Sequence, residues 1–308
     1  MIEAHELTKR YGDTTAVDGV TFTVSPGSVT GFLGPNGAGK STTMRMIVGL
    51  DHPTSGSVTV DGRPYAQHRS PLGEVGALLD GRAVHPGRSA YQHLRALAAT
   101  HGIPRRRVEE VIELTGLQSV SRRRVGGFSL GMGQRLGIAA AVLGDPRTLI
   151  LDEPVNGLDP EGVKWVRTMV RHLAREGRTV FISSHLMSEM AQTADELLVI
   201  GRGRIIAAGP VEEIVRSTQD DRVRVLSPRA GELVDLLTAG RAEVVPVGPG
   251  ALEVCGMTSA EIGEAAAASG VPLHELTPLG GSLEDAYLSL THSEVEYRSE
   301  QSLQESRS

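Results

Sequence analysis

The first segment of the sequence that could do chemistry is a glycine-rich stretch at residues 34–41, which reads GPNGAGKS. It matches the spacing G-x-x-x-x-G-K-[ST] and lies between a β-rich run and a helix-favouring run, the context in which this pattern forms a phosphate-binding loop. Glycines let the backbone turn tightly, so that its N–H groups converge on an anion, and the following helix points its positive end at the same anion. We expect Lys40 to bridge the β- and γ-phosphates of a nucleotide and the Ser41 hydroxyl to bind Mg²⁺.

A pair of carboxylates follows another apolar run further along the chain. Residues 149–151 (LIL) lead directly into Asp152 and Glu153. Ligands bind at the carboxyl ends of strands in open α/β sheets, so these acids are placed to serve the phosphate loop. We expect Asp152 to hold Mg²⁺. Because side chains alternate along a strand, we expect Glu153 on the opposite side of the backbone, where it would be the general base for an attacking water.

Strand and helix signals alternate up to about residue 218, which predicts an α/β fold with a mostly parallel sheet and helices on its faces. A block of helical signals interrupts this alternation between about residues 88 and 144 and is predicted to form a helical sub-domain. The predicted strands of this part lie at residues 22–25, 29–33, 57–60, 75–79, 148–151, 179–183 and 197–201.

Residues 219–290 are predicted to form a separate, small α+β domain. Their signals follow the order strand, helix, strand, strand, helix, strand, which is the ferredoxin-like βαββαβ order. The last of these strands is expected at residues 271–275 and a final helix at 283–290. The polar residues 291–308 are predicted to be a disordered tail.

Composition limits the classes of function. The 308 residues include 31 basic and 37 acidic side chains, for a net charge of −6, and only 3% are aromatic. A net acidic chain with few aromatics is not expected to bind nucleic acid, because it lacks both a cationic surface and stacking platforms. Since the apolar runs are all shorter than 18 residues, the chain is not expected to cross a membrane by itself.

Several further motifs make residues 1–218 similar to the ATP-binding subunit of an ATP-binding cassette (ABC) transporter. Residues 128–135 (FSLGMGQR) resemble the LSGGQ signature and the residues that follow it, and 156–159 (NGLD) resemble the D-loop. His185, which follows the apolar and serine residues FISS, matches the switch histidine. Tyr11 has the position of the aromatic residue that stacks on adenine. The resemblance implies the fold of a P-loop NTPase of the ABC type.

The resemblance also implies an ATPase that works as a head-to-tail dimer, with each ATP held between the phosphate loop of one copy and the signature of the other. Lys40, Glu153 and His185 are the implied catalytic residues. The implied ATP contacts within one copy are Tyr11, Gly34, Pro35, Asn36, Gly37, Ala38, Gly39, Lys40, Ser41 and Thr42. The implied contacts to the partner's ATP are Ser129, Gly131, Met132 and Asp159, and the implied Mg²⁺ ligands are Ser41, Asp152 and Asp80.

Two positions depart from the family pattern. Met132 replaces the glutamine that ends the signature, and Asp80 aligns with the glutamine of the family's Q-loop, which here reads VGALLD at residues 75–80. Asp80 can still offer an oxygen to Mg²⁺, but it adds negative charge close to the γ-phosphate. We expect hydrolysis to be retained with an altered metal dependence.

The form of the signature, the D-loop and the C-terminal residues 282–288 (SLEDAYL) resemble bacterial drug- and antibiotic-resistance exporters whose ATPase and permease are separate chains. The implied partners are a second copy and an integral membrane permease, and the implied location is the cytoplasmic face of the membrane. The alternative is an ABC-type ATPase switch that acts on the ribosome or on nucleic acid. Against it, the sequence holds one cassette and no heptad repeats.

Overall fold

The computed structural model describes residues 1–79, 84–217, 222–240, 242–279, 283–284 and 286–287. The chain divides into two compact units, Met1–Val211 and Glu212–His292. Asp80, the predicted tail and most of the helix expected at 283–290 lie outside the described residues.

Two sheets form the described part of the first unit. The strands are β1 (Ile2–Tyr11), β2 (Thr14–Val24), β3 (Val29–Leu33), β4 (Ser55–Val60), β5 (Val75–Leu78), β6 (Thr148–Leu151), β7 (Thr179–Ser184), β8 (Glu196–Gly201) and β9 (Arg204–Pro210). Strands β2, β1 and β4 make an antiparallel sheet. The other strands follow the order β5-β6-β7-β3-β8-β9, in which all neighbours are parallel except β8 and β9.

Helices connect the parallel strands, as such a sheet requires. Those that the structure describes up to residue 217 are α1 (Lys40–Ile47), α2 (Pro71–Glu74), α3 (Ala90–Thr100), α4 (Arg105–Leu114), α5 (Leu130–Val142), α6 (Pro160–Arg175), α7 (Met187–Thr193) and α8 (Val211–Ser217).

The centre of the first unit is apolar on both faces of the sheet. Every residue of β3, β6 and β7 is buried, which is why these mostly apolar segments lack the polar–apolar alternation of a half-exposed strand. Phe22, Phe32 and Phe181 form a cluster with ring centroids 5.2–6.2 Å apart. Because Phe22 belongs to β2 and the other two belong to the six-stranded sheet, this cluster joins the two sheets.

The helical sub-domain predicted between residues 88 and 144 is built from α3, α4 and α5, which pack against one another. Ser89 and Gln92 form a capping box at the start of α3. Leu94, Val108 and Leu136, one from each helix, are fully buried. The α5 helix also packs on β5, so the sub-domain is anchored to the edge of the six-stranded sheet.

The second unit has the predicted βαββαβ order. The elements are β10 (Arg222–Leu226), α9 (Ala230–Ala239), β11 (Glu243–Gly248), β12 (Ala251–Cys255), α10 (Ser259–Ala268) and β13 (Glu275–Leu279). The sheet has the order β11-β12-β10-β13 with antiparallel neighbours, and Leu233 of α9 and Ile262 of α10 contribute to the apolar core.

One predicted strand in this unit is wrong. The strand expected at 271–275 lies instead at Glu275–Leu279. Val271 is buried, but its N–H donates to Ala266 O beyond the end of α10, and Gly270 has φ +65°. These are the features of a helix C-terminal turn, in which an apolar residue just past the glycine packs back on the helix.

None of the described helices is both long and apolar enough to span a bilayer.

Candidate functional site

The glycine-rich segment forms a loop between the end of β3 and the start of α1. Gly37 and Gly39 have φ values of +82° and +109°, which residues with a side chain rarely adopt. A Cβ atom on Gly39 would lie 2.5 Å from Ala16 O, so the loop has no room for a side chain there. Sequence and structure therefore agree on a tight loop that leads into a helix N-terminus.

Lys40 lies beneath this loop and is only 6% exposed. Its Nζ donates hydrogen bonds to Gly34 O at 2.5 Å and Pro35 O at 3.3 Å, and lies 3.8 Å from Glu153 Oε1. Burial lowers the pKa of Lys40, and the nearby charges of Glu153 and Asp152 oppose that shift. The ammonium is thus held at the loop by backbone carbonyls and one carboxylate.

Asp152 and Glu153 follow β6, but strand alternation does not orient Glu153. β6 ends at Leu151, and Glu153 has φ +49°, in the left-handed region. Strand alternation, from which the side of Glu153 was predicted, therefore does not apply at this residue. Ser183 Oγ accepts the Glu153 N–H at 2.9 Å and donates to Asp152 Oδ1 at 2.5 Å, so one hydroxyl fixes both acids.

His185 follows β7 and meets Glu153. Its Nδ1 lies 2.9 Å from Glu153 Oε2, and its side chain is 42% exposed. The Glu153 carboxylate therefore contacts Lys40 through one oxygen and His185 through the other. The residues come from the carboxyl ends of β6, β7 and β3, which are neighbours in the sheet.

A cavity opens above the loop, and a wider groove beside it is lined by Ser41 and Asp152. A hydroxyl and a carboxylate that face one groove fit Mg²⁺, which takes oxygen ligands and is commonly held by one or two protein groups together with substrate phosphates. The residues that line the cavity above the loop are Ala16, Pro35, Asn36, Gly37, Gly39, Lys40, Ser41, Thr42 and Glu153.

Tyr11 lies at the end of β1 with its side chain about half exposed. Its hydroxyl donates to Asp51 Oδ2 at 3.0 Å, and Lys9 Nζ lies 5.0 Å from its ring centroid. Asp51 in turn pairs with Arg45 at 2.7 Å. The ring is thus held in place at the surface, and its proposed contact with adenine stays a prediction.

The signature residues are placed against the D-loop of the same chain. Ser129 is the N-cap of α5 and accepts the Met132 N–H at 3.2 Å. A Cβ atom on Gly131 would lie 2.8 Å from Gly157 O, which shows how closely the two turns approach. Asp159 caps α6 by accepting the Gly162 N–H at 2.9 Å. No hydrogen bond or ion pair of the described residues joins Ser129, Gly131, Met132 or Asp159 to the phosphate loop.

Ser183 and Gln134 are two contacts of this site for which the sequence predicts no role. Gln134 Nε2 donates to Glu153 O at 2.9 Å, and Gln134 is only 6% exposed. The available signal was a polar residue on the otherwise apolar face of α5 and a serine in a fully buried strand, because buried polar side chains are almost always hydrogen-bonded.

Comparison with known proteins identifies the family. Residues 17–156 match the family profile described as ABC transporter. The chain is 41% identical over 217 residues to the bacitracin transport ATP-binding protein BcrA of Bacillus licheniformis, and the matched region covers 70% of this chain and 71% of that protein. The chain belongs to the ABC transporter ATP-binding family. Residues 221–284 of this ABC subunit, which belong to its second unit, match a domain of unknown function (DUF8746).

A second relative of the ABC subunit is the lantibiotic transport ATP-binding protein SrtF of Streptococcus pyogenes, 38% identical over 206 residues, with 67% of this chain and 89% of that protein covered. The dimeric structure of a bacterial ABC transporter cassette superposes with a TM-score of 0.62 at 22% identity and covers 68% of this chain and 98% of that one, which confirms the fold. The chain is therefore the ATPase subunit of a transporter, and the alternative of a ribosome- or nucleic-acid-directed switch is not favoured.

Proposed function

We propose that two copies of this ABC subunit form a head-to-tail dimer on the cytoplasmic face of the membrane and drive export of an antibiotic-type compound through a permease on a separate chain. The hydrolytic part of the proposal is carried by the contact of Glu153 with both Lys40 and His185. The dimer and the exported class are supported by the similarity to a dimeric cassette and to bacitracin and lantibiotic transport proteins.

Each residue of the site has its own role in the proposed hydrolysis of ATP. When ATP enters the loop, the Lys40 ammonium exchanges its carbonyl partners for phosphate oxygens, which are stronger acceptors because they are charged. Glu153 takes a proton from a water as the water oxygen attacks the γ-phosphorus, and the bond to the β-phosphate oxygen breaks to give ADP and phosphate. His185, held by Glu153, orients the γ-phosphate. Ser41 and Asp152 would hold Mg²⁺, which neutralises phosphate charge when bound.

The signature completes the site from the other copy. Ser129 is exposed at the N-terminus of α5, where the positive end of the helix dipole favours an anion. In the proposed dimer, Ser129 and Gly131 contact the γ-phosphate on the partner's phosphate loop. Met132 and Asp159 flank that contact, and Asp80 stays a sequence-based prediction for the metal.

Substitution of Glu153 by glutamine tests the hydrolytic proposal. We expect Glu153→Gln to abolish phosphate release, to keep ATP binding and to accumulate an ATP-bound dimer in size-exclusion chromatography. Glu161→Gln, at an exposed acid in the first turn of α6, is the matched control and should hydrolyse ATP at the wild-type rate. Full turnover by Glu153→Gln would refute the assigned base.

The transport part requires the permease. The chain, co-expressed with the permease gene beside its own, should be recovered in membranes and should protect sensitive cells against a peptide antibiotic. The same pair with Glu153→Gln should give no protection. Recovery of the chain away from membranes, bound to ribosomes or DNA, would contradict the proposal that its partner is a membrane permease.

A further inference from the structure

The backbone of Glu153 is held on both sides by buried polar side chains. Its left-handed φ of +49° is unfavourable for a residue with a side chain, so surrounding contacts must maintain it. Its N–H donates to Ser183 Oγ at 2.9 Å. Its carbonyl accepts Gln134 Nε2 at 2.9 Å and the Asn156 N–H at 3.2 Å, which uses both lone pairs.

Gln134 connects this backbone to the signature. It belongs to α5, whose N-cap is Ser129, and it is 6% exposed among the apolar residues of that helix. Ser129 and Gln134 are five positions apart, or about one and a half helical turns. Since α5 is a single hydrogen-bonded helix, a movement of its N-terminus also moves the Gln134 amide.

We propose that Gln134 is a positioning residue that transmits the position of the signature to the general base of the same chain. The inference rests on the proposed function, in which the signature serves the partner's ATP whereas Glu153 serves the ATP on its own phosphate loop. Gln134 therefore joins the two ATP sites through one helix and one hydrogen bond. Binding of the partner's ATP at Ser129 and Gly131 fixes α5, and the Gln134 amide then fixes the Glu153 backbone.

The chemistry of the contact explains why an amide is needed. A backbone carbonyl can only accept hydrogen bonds, so the side chain at position 134 must donate. A leucine has similar size but no donor, and it would leave Glu153 with the Asn156 N–H alone. The carboxylate of Glu153 would then lose part of its orientation, and displacements of about 1 Å at a reacting group cost up to about a hundredfold in rate.

The experiment compares Gln134→Leu with Gln118→Leu in the full chain. Gln118 is the matched control because its Nε2 also donates to a backbone carbonyl, that of Glu113 at 3.3 Å, and it is exposed. We expect Gln134→Leu to lower kcat by about ten- to a hundredfold, to leave the Kd of a fluorescent ATP analogue within about twofold, and to bring the Hill coefficient for ATP toward one. Gln118→Leu should match the wild type in all three.

Two further arms make the test decisive. Thermal unfolding shows whether Gln134→Leu has a folding defect. If it has one, Gln134→Met takes its place, because methionine has the length of glutamine and lacks the hydrogen-bond donor. In a Glu153→Gln background, Gln134→Leu should still accumulate the ATP-bound dimer, because the signature itself is intact. Wild-type kcat and Hill coefficient in a folded Gln134 variant would overturn the inference. Full activity of Glu153→Gln would instead overturn the proposed function.

Discussion

The Lys40 ammonium is buried next to two carboxylates, and this balance predicts how ATP binding depends on pH. Burial lowers its pKa, whereas the Glu153 and Asp152 charges raise it. ATP phosphates add negative charge beside Nζ and raise the pKa in the bound state. A ligand that raises a pKa binds with proton uptake, and its affinity falls as pH rises through the pKa of the free protein.

As pH rises, we therefore expect ATP affinity to begin to fall at a pH lower than the ordinary lysine pKa of about 10.4. Calorimetric titration in buffers of different ionisation enthalpy measures both the affinity and the proton uptake. Lys40→Arg is the control because a guanidinium stays protonated throughout this range. An affinity for wild type that is constant up to the ordinary lysine pKa would contradict this account of Lys40.

The sequence predicts the identity of the chemical groups better than it predicts their orientation. The glycine-rich turn and the end of an apolar strand predict where Lys40 and Asp152 lie, and the family resemblance points to His185. The roles of these three residues stay predictions. The direction of Glu153 could not be predicted in this way, because a left-handed backbone and the hydrogen bond that its N–H donates to Ser183 replace strand alternation. Such contacts join residues that are 30 positions apart in the chain and become visible only when β6 and β7 are neighbours.

The helical sub-domain depends on close approach between α5 and β5. A Cβ atom on Gly76 in β5 would lie 2.0 Å from Ala141 O and 2.9 Å from Ala141 C, both backbone atoms of α5. Because a backbone cannot rotate away as a side chain can, Gly76→Ala must push the helix from the sheet. Overpacking of this kind costs about 1–3 kcal/mol or more.

We expect Gly76→Ala to lower the free energy of unfolding in urea by at least about 1 kcal/mol. Gly73→Ala is the matched control, since its Cβ would meet no atom closer than 3.7 Å. It should be neutral or slightly stabilising because it restricts the unfolded chain. Equal midpoints for the two variants would show that α5 and β5 can separate without loss.

Elements with a strong local pattern were predicted to within a few residues, whereas those that depend on distant partners were not. The signature helix α5 begins at Leu130, directly after Ser129, whose side chain caps it. Strands β1 and β9 escaped prediction, since their mixed polar and apolar residues become strands by pairing with β2 and β8. A single sequence gives little indication of such pairing.

The two units each bury a core of their own, which predicts how the whole molecule unfolds. Leu94 belongs to the first unit and Leu233 to the second, and both are fully buried. We expect two calorimetric transitions. Leu94→Ala should lower the free energy of unfolding of the first unit by about 2–5 kcal/mol, and Leu233→Ala that of the second unit by a similar amount. Each substitution should therefore lower the midpoint temperature of one transition and leave the other unchanged.

ATP with Mg²⁺ tells the two transitions apart, because all the proposed nucleotide contacts lie in the first unit. At a ligand concentration of about 100 times Kd, binding should stabilise that unit by about 2.7 kcal/mol and leave the second transition unchanged. The Glu153→Gln variant is used so that the ligand is not consumed during heating. A single transition that both alanine substitutions and ATP move together would show that the two units unfold as one, and the second unit would then be part of the ATPase fold itself.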